Sequence, residues 1–563
     1  MSDDAQRPPD NYPRIFVGTG SCGLAAGAAG VFDAARQWVR EASQDIHLVR
    51  TGCLGMCHRE PVLEIHLPGR SRVVYGEVRA EQVADLLTRH FYQPELEGVP
   101  QVVGQRAPDH ESRPYENVPL LTELAFFSGQ RQRLLARAGR IDPHSLVDYE
   151  TEGGYGGIRA ALGMKPQEVR DRVRRSGLSG RGGGGFLTAD KWELAASQPD
   201  GQRYVIANGD EGDPGAFSDR TLLESDPHAV IEGLMIAAWA TGASRGFIYT
   251  RAAYATVIHR LEVALAFCVK RGYLGDNIFG SGFALDIQLR KGSGSYICGE
   301  ETALIATLEG RPPMPDEKPP RPAQRGFMGH PTVVNNVETL ACVSHQFVTP
   351  PDSADQADGG AAATKLLSLS GAIARPGVVE VPLGTPLRQV IFDIGGGVGG
   401  NGNGDAARKF KAVLVGGPDG GFLPASLLDT PVDFAALRAV GSTLGSGALV
   451  VVDDTACMVG LARYFSRFEA DASCGKCVPC RVGTTRLVER LDRIVQGRAT
   501  RAELTTLEHL CGVIRDGSLC GLGRAAPTPV TTALTHFYAD FEAHIAGHCP
   551  TGACDREQTA GEA

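Results

Sequence analysis

The chain has 563 residues, more than one core accommodates, so roughly three to five domains are expected. A formal net charge of -9 with no basic block argues against a nucleic-acid partner. The longest apolar stretch, around Gly233–Ala240, falls far short of the ~20 residues of a membrane span.

The amino-terminal MSDDAQRPPD has no apolar core, so no signal peptide is expected. Fourteen cysteines then point to a reducing compartment and metal ligation rather than disulfides. The expected location is the cytoplasm, with membrane attachment only through partners.

Residues 13–90 read as a small α/β unit. Arg14–Gly18, His47–Arg50, Val62–His66 and Arg72–Tyr75 are predicted strands; Ala25–Ala42 and Ala80–Phe91 are predicted helices. A polar connector follows, and from about 151 to 345 the pattern becomes β/α with Gly-rich turns. Residues 352–363 are low-complexity and read as a surface loop. Residues 364–435 are short β runs with turn signals; beyond 440, after a β run at Ala448–Val452, the chain reads as mainly helical.

The first segment that suggests chemistry is GLSGRGGGGFLTADKW, residues 177–192. The amides of Gly182–Gly185 can point at a phosphate and Lys191 supplies a cation, although a Gly run is also a common flexible loop. Next, Tyr204–Ala207 is strand-like and places Asn208, Asp210, Glu211 and Asp213 at its carboxyl end, where α/β sheets bind ligands. Such groups can hold sugar hydroxyls, or simply form a solvated acidic turn. In residues 292–322, Tyr296 offers a flat ring and Gly299 close approach, while Glu300 and Glu301 open a helix ahead of Lys318. The amide pair Asn335 and Asn336 suits a ligand or a helix cap.

Cys474, Cys477 and Cys480 follow a C-x2-C-x2-C spacing, and a helical hairpin can return Cys520 to them. Four thiolates so gathered suit a [4Fe–4S] cluster, with a structural zinc as the alternative. Cys268, Cys342 and Cys511 read more simply as buried small side chains, and Cys298, although beside the site, is not expected to ligate metal.

Together these segments resemble the FMN- and NADH-binding subunit of respiratory complex I and its soluble relatives, the diaphorase subunits of NAD-linked hydrogenases and formate dehydrogenases. The resemblance covers about residues 145–540. It implies flavin contacts from Gly180, Arg181, Gly182, Lys191, Asn208, Asp210, Glu211, Tyr296, Gly299, Glu300, Asn335 and Asn336. It implies a nicotinamide nucleotide near Phe186, Lys191, Asp213, Glu301, Lys318 and Arg321, and a [4Fe–4S] cluster on Cys474, Cys477, Cys480 and Cys520. The chain departs from the family at three places: Arg321 and Leu194 stand where aromatics are usual, and Asp213 where Glu is. Arg321 can stack on adenine or attract a 2′-phosphate, whereas Glu301 repels one; NAD is favoured over NADP.

The amino-terminal segment resembles the thioredoxin-like [2Fe–2S] domain of many relatives, through Cys22, Cys53 and Cys57. The first of its four usual cysteines, expected near Val17 or Gly18, is missing. Ser21, His58 or a partner chain could substitute, or the domain could persist only as an interface. At the other end, the tail with Cys549 and Cys554, and Cys457, resemble hydrogenase-type relatives; with His544 they suit a closed zinc site, His548 being an alternative nitrogen ligand, or the tail frays with its thiols unpaired.

The expected fold is α/β multidomain. A thioredoxin-like domain spans 10–95, a connector 96–150, a Rossmann-like FMN- and NAD-binding domain 151–350, a β-grasp-like module 364–435, a helical [4Fe–4S] domain 440–545 and a tail 546–563. The expected activity exchanges a hydride with NAD(H) and single electrons with iron–sulfur partners, through FMN and the cluster. A hydrogenase- or formate-dehydrogenase-type complex is the expected setting. The alternatives are a complex I-type module, an electron-transfer scaffold without nucleotide binding, and a zinc-containing interaction protein.

Overall fold

The computed structural model describes residues 12–42, 45–93, 96, 99, 101–108, 112–199, 201–349, 363–399 and 408–554. The low-complexity run expected at 352–363 lies outside them apart from its last residue, as does the tail beyond 554.

Three sheets organise the chain. The first comprises β1 (Arg14–Gly18), β2 (His47–Thr51), β3 (Leu63–His66), β4 (Val73–Tyr75) and β5 (Val102–Gln105), in the order β2-β1-β3-β4-β5. β1 runs parallel to β2, and the remaining pairs are antiparallel. Ile15, Val17, Leu63 and Val73 bury against Val31 and Phe32 of one helix and Val83 and Leu87 of another. The sequence read a single helix over 25–42; Gly27, at φ +106°, breaks it into Ser21–Ala26 and Ala28–Glu41. β5 comes from the segment read as connector and completes this sheet.

The second sheet, β6 (Tyr204–Gly209), β7 (Arg245–Arg251), β8 (Asp286–Gly292) and β9 (Thr332–Asn336), is wholly parallel, in the order β8-β7-β6-β9. Parallel sheets need helices on their faces. Pro227–Thr241 is buried almost all round and packs on Val337–Val348. Glu232 on it is fully buried, yet accepts bonds from Tyr149 Oη (2.6 Å) and the amides of Tyr155 (3.0 Å) and Ile158 (2.9 Å), which tie residues 149–158 down.

The third sheet joins β10 (Thr364–Gly371), β11 (Gly377–Pro382), β12 (Phe410–Val415), β13 (Gly421–Pro424) and β14 (Ala448–Asp453), in the order β11-β10-β14-β12-β13. β14 sits at its centre, parallel to β10 and antiparallel to β12. The β module therefore closes only with a strand from beyond residue 440, since Leu449 and Val451 supply the core of the sheet. The remainder is helical: Met458–Ala472, Val478–Val495 and Arg501–Gly517 pack around Leu487, Leu491, Leu507 and Ile514. No helix among the described residues is long and apolar enough to cross a membrane.

Candidate functional site

The Gly-rich loop lies against the carboxyl end of the parallel sheet. Gly180 N donates to Phe186 O (2.8 Å) and Arg181 N to Thr339 Oγ1 (2.9 Å), which pins both ends of the loop. Gly183 and Gly185 have φ of +114° and +61°, conformations that favour glycine. A Cβ at Gly182 would meet the Asn336 Cβ at 3.0 Å, while one at Gly184 would meet nothing within 4 Å. The loop is thus tight against the fold on one side and open on the other. Lys191 reaches under it, donating to Val334 O (2.9 Å) and pairing with Glu301 (3.5 Å).

The polar residues divide by what they already bind. Glu211 accepts from the amides of Asp219 (2.9 Å) and Arg220 (3.0 Å), so it caps the helix Ser218–Ser225. Asn336 caps Val337–Val348 and donates to Asp219 (2.6 Å). Glu300 caps Glu301–Leu308. Asn335 Oδ1 accepts from Trp192 Nε1 (2.9 Å), and Asn208 Nδ2 donates to Gly299 O (2.8 Å). Asp210 differs: it is buried, and neither carboxylate oxygen has a hydrogen-bond partner. Burial pushes it up to about 6, against the pull of Arg251. A carboxylate is not left this way without cost unless another group completes it.

Beside this pocket, Lys318 bridges Glu300 and Glu301, at 2.7 Å to each. Burial acts to raise the Glu301 carboxyl, but Lys191 and Lys318 together hold it below the usual range. Phe186 is half-exposed, with the Arg321 guanidinium 5.0 Å from its ring centroid. Asp213 turns away to the β module, where Ser446 Oγ donates to it. Tyr296 Oη donates to Asp419 (2.9 Å), and its ring meets Phe468 edge-on at 5.2 Å.

The turn Tyr296–Gly299 joins this pocket to the cysteines. A Cβ at Gly299 would lie 3.3 Å from the Asp210 carbonyl, whereas Ile297 lines a small hollow walled by Cys474, Cys477, Cys480 and Cys520. Cys477 and Cys520 sit at helix starts, and burial pushes the Cys520 thiol up. Lys476 Nζ donates to Pro315 O (2.6 Å), which fixes the loop carrying the triplet.

Two further cysteine groups form. Ligand atoms of Cys457, His544, Cys549 and Cys554 all lie within 4.8 Å of one another. His544 Nδ1 faces Asp540 O (2.8 Å), leaving Nε2 toward Cys457 (3.6 Å). At the amino end, Cys22, Cys53 and Cys57 also converge, with Sγ of Cys22 and Cys57 at 3.1 Å. The expected substitutes are engaged elsewhere: Ser21 Oγ donates to Glu224, and His58 Nδ1 contacts Pro376 O (3.2 Å). Sequence reasoning passed over the buried Glu60 and Glu469 and the part-buried Asp419, which lie beside these sites. Only the carboxylate of Glu60, three residues past Cys57, offered a local signal.

Residues 173–345 match the family model described as the Nuo51 FMN-binding domain, and residues 460–544 the NADH-ubiquinone oxidoreductase-F iron–sulfur binding region. NADP-reducing hydrogenase subunit HndC of Solidesulfovibrio fructosivorans is 47% identical over 421 residues, covering 74% of this chain and 84% of that protein. The chain belongs to the NADH-quinone oxidoreductase F family. Another member, NADH-quinone oxidoreductase F 2 of Rhizobium meliloti, is 43% identical over 73% of this chain and 97% of its own length. A crystal structure of an NAD+-reducing [NiFe]-hydrogenase in the H2-reduced state is similar over 99% of this chain and 88% of that one, with a TM-score of 0.63 and 28% identity. The geometry of this NADH-quinone oxidoreductase F relative fits the groups its family models name. The unpartnered oxygens of Asp210 and the open side of the Gly loop suit FMN, and four thiols around one cavity suit a [4Fe–4S] cluster.

Proposed function

We propose that this chain passes electrons between a nicotinamide nucleotide and an iron–sulfur cluster through FMN, as the diaphorase module of a larger redox complex. The observation that carries this is the Tyr296–Gly299 turn, one end of which faces Asp210 and the other the four-cysteine cavity. Bound FMN supplies hydride acceptance and single-electron release, and the cluster single-electron transfer. The residues supply position. The loop amides and Lys191 hold the flavin phosphate, and Asp210 receives sugar hydroxyls on its open oxygens. Glu211, Asn336 and Glu300 act as helix caps that fix the pocket walls. Phe186, Arg321, Glu301 and Lys318 face the nucleotide, with Arg321 already stacked on Phe186 in place of the missing aromatic.

The domain assignments follow the sheets: thioredoxin-like for the first, Rossmann-like for the parallel second, β-grasp-like for the third with β14 included. A hydrogenase- or formate-dehydrogenase-type setting is favoured, because the similar hydrogenase structure extends over 99% of this chain, amino-terminal sheet included. A complex I-type setting is the second reading, on the Rhizobium relative. Partner subunits would carry electrons onward. We also propose that Cys457, His544, Cys549 and Cys554 bind zinc, on the convergence of their ligand atoms.

The test is reconstitution of the purified chain with FMN, iron and sulfide. Flavin absorbance bleached by NADH is expected. Failure of the wild type to bind flavin, or of NADH to bleach it, rejects the proposal.

A further inference from the structure

The amino-terminal cysteines do not supply the four thiolates that a thioredoxin-like ferredoxin domain would use. Where a first cysteine is expected, Val17 is fully buried in the apolar core of its sheet and Gly18 has no side chain. The space beside Gly18 is instead taken by Glu60. A Cβ at Gly18 would lie 3.3 Å from Glu60 Oε2, and one at Gly23 3.0 Å from it. The Glu60 carboxylate thus packs closely against both glycines.

Glu60 is 8% exposed. Its Oε2 accepts from Val62 N (2.9 Å), while Oε1 has no hydrogen-bond partner. The carboxyl faces Cys53, which in turn lies within hydrogen-bonding reach of Cys22 and Cys57. The part-buried Cys22 and Cys57 and the buried Cys53 thus stand within reach of one another, with the Glu60 carboxyl facing Cys53. Left without a partner, Glu60 Oε1 carries a desolvation cost with nothing to offset it.

We propose that Cys22, Cys53, Cys57 and Glu60 bind a single thiophilic divalent metal ion through three thiolates and one carboxylate. A tetrahedral ion with metal–sulfur bonds of about 2.3 Å needs sulfurs roughly 3.8 Å apart. The Cys22–Cys57 separation of 3.1 Å is within a small side-chain adjustment of that. By contrast, Cys474, Cys477, Cys480 and Cys520 near the carboxyl end stand apart around one shared hollow, the arrangement a multi-iron cluster uses.

The surroundings suit the charge. Three thiolates and a carboxylate carry -4, of which a divalent ion cancels half. Arg220 lies against Cys22. Arg260 is buried behind the adjoining loops, donating to Thr19 O (2.8 Å) and Thr19 Oγ1 (3.0 Å) and also to the Glu224 carbonyl. Both arginines come from the flavin domain. So do Glu224, which holds the Ser21 amide (2.8 Å), and Ser225, whose Oγ donates to Cys53 O (3.3 Å). The ion would fasten the two cysteine loops to the helix Ser218–Ser225, whose other end Glu211 caps at the flavin pocket.

The experiment uses the full chain carrying Cys549→Ser, so that the carboxyl-terminal group does not contribute zinc. Metal and acid-labile sulfide are counted with and without Cys53→Ser, and cobalt(II) spectra are recorded after exchange. The expected result is one zinc per chain that Cys53→Ser removes, with labile sulfide unchanged. Glu60→Gln should weaken zinc retention against a chelator at least as much as loss of an outer-sphere partner does, about tenfold or more. Glu60→Cys keeps a ligand at the position, and should strengthen the cobalt–thiolate charge-transfer band by about a third as a fourth sulfur joins. The proposal is overturned by equal zinc with and without Cys53, or by extra iron and sulfide that Cys53→Ser removes. Unchanged affinity in Glu60→Gln together with an unchanged cobalt band in Glu60→Cys overturns it as well.

Discussion

The two ends of the molecule gather cysteines in opposite ways. Near the carboxyl end, helix starts hold Cys477 and Cys520 apart around a cavity, and the turn bearing Tyr296 and Ile297 closes one side of it. At the amino end, three sulfurs close onto one another between strand ends and a short 3₁₀ turn. The charges differ too. Glu300 lies near Cys520, and the part-buried Asp213 and Asp419 and the buried Glu469 interact among themselves around Tyr296. Arginines of the flavin domain flank the amino-terminal group. A cavity lined by thiols beside acids suits a cluster that gives electrons away. A closed set beside arginines suits an ion that stays put. Cysteine count alone would have ranked the two sites as neighbours in kind, whereas their spacing and surroundings separate them.

The contrast between the two ends is most exposed at Cys477. Cys477→Ser should cut iron from about four per chain to near zero and abolish the cluster's paramagnetic signal. Flavin bleaching by NADH should survive, because the flavin pocket shares only the Tyr296–Gly299 turn with the cavity. Retained iron would mean that the cavity is not the cluster site. A smaller effect is expected in the tail. Cys549→Ser should remove one zinc while leaving iron and flavin in place, since its partners are Cys457, His544 and Cys554 rather than the triplet. Equal zinc in variant and wild type would reject that assignment.

The nucleotide pocket offers a third setting, in which an acid is held by cations rather than by a metal. Glu301 lies between Lys191 (3.5 Å) and Lys318 (2.7 Å). Glu301→Gln removes a charge that repels a 2′-phosphate and releases two cations that attract it. An exposed pair of this kind is worth up to about 1 kcal/mol, so the NADPH/NADH rate ratio should rise roughly fivefold. An unchanged ratio would place the 2′ position elsewhere.

Local pattern made much of this readable. Alternation and helix periodicity marked the strands at 14–18 and 204–207, and the C-x2-C-x2-C spacing marked the cavity wall before any fold was known. Three members of the carboxyl-terminal cysteine–histidine group, His544, Cys549 and Cys554, were readable because they lie within one short stretch. Long-range closure was not. β14 reads as the prelude to a helical domain, yet it is the central strand of the preceding sheet, and nothing in its own residues names its neighbours. Glu211 reads as a ligand contact, yet its carboxylate accepts from helix amides; Asn336 reads as a ligand contact or a cap, and it caps Val337–Val348 while donating to Asp219. Asp419 follows β12 and Glu469 lies within the helix Met458–Ala472, so only topology brings them toward Tyr296.

That acidic group supports the smallest effect. Burial pushes Asp419 up to about 7 from 3.8, with the neighbouring Asp213 adding to the rise. A carboxyl raised in the folded state contributes stability that is fully present below its unfolded value and is lost as pH rises through the folded one. For Asp419 the loss falls between about 4 and 7. Asp419→Asn keeps an acceptor for the Tyr296 hydroxyl and cannot ionise. The variant without cofactors should match the wild type near pH 4 and unfold a few degrees higher at pH 8, on a scale of about 2–4 °C per kcal/mol. Thermal unfolding across that range checks the sign. A variant that loses stability at pH 8 would mean that the ionised carboxylate is needed where it sits, by a cation among its neighbours, and that the region beside the cluster is less acidic in balance than Asp213, Asp419 and Glu469 make it.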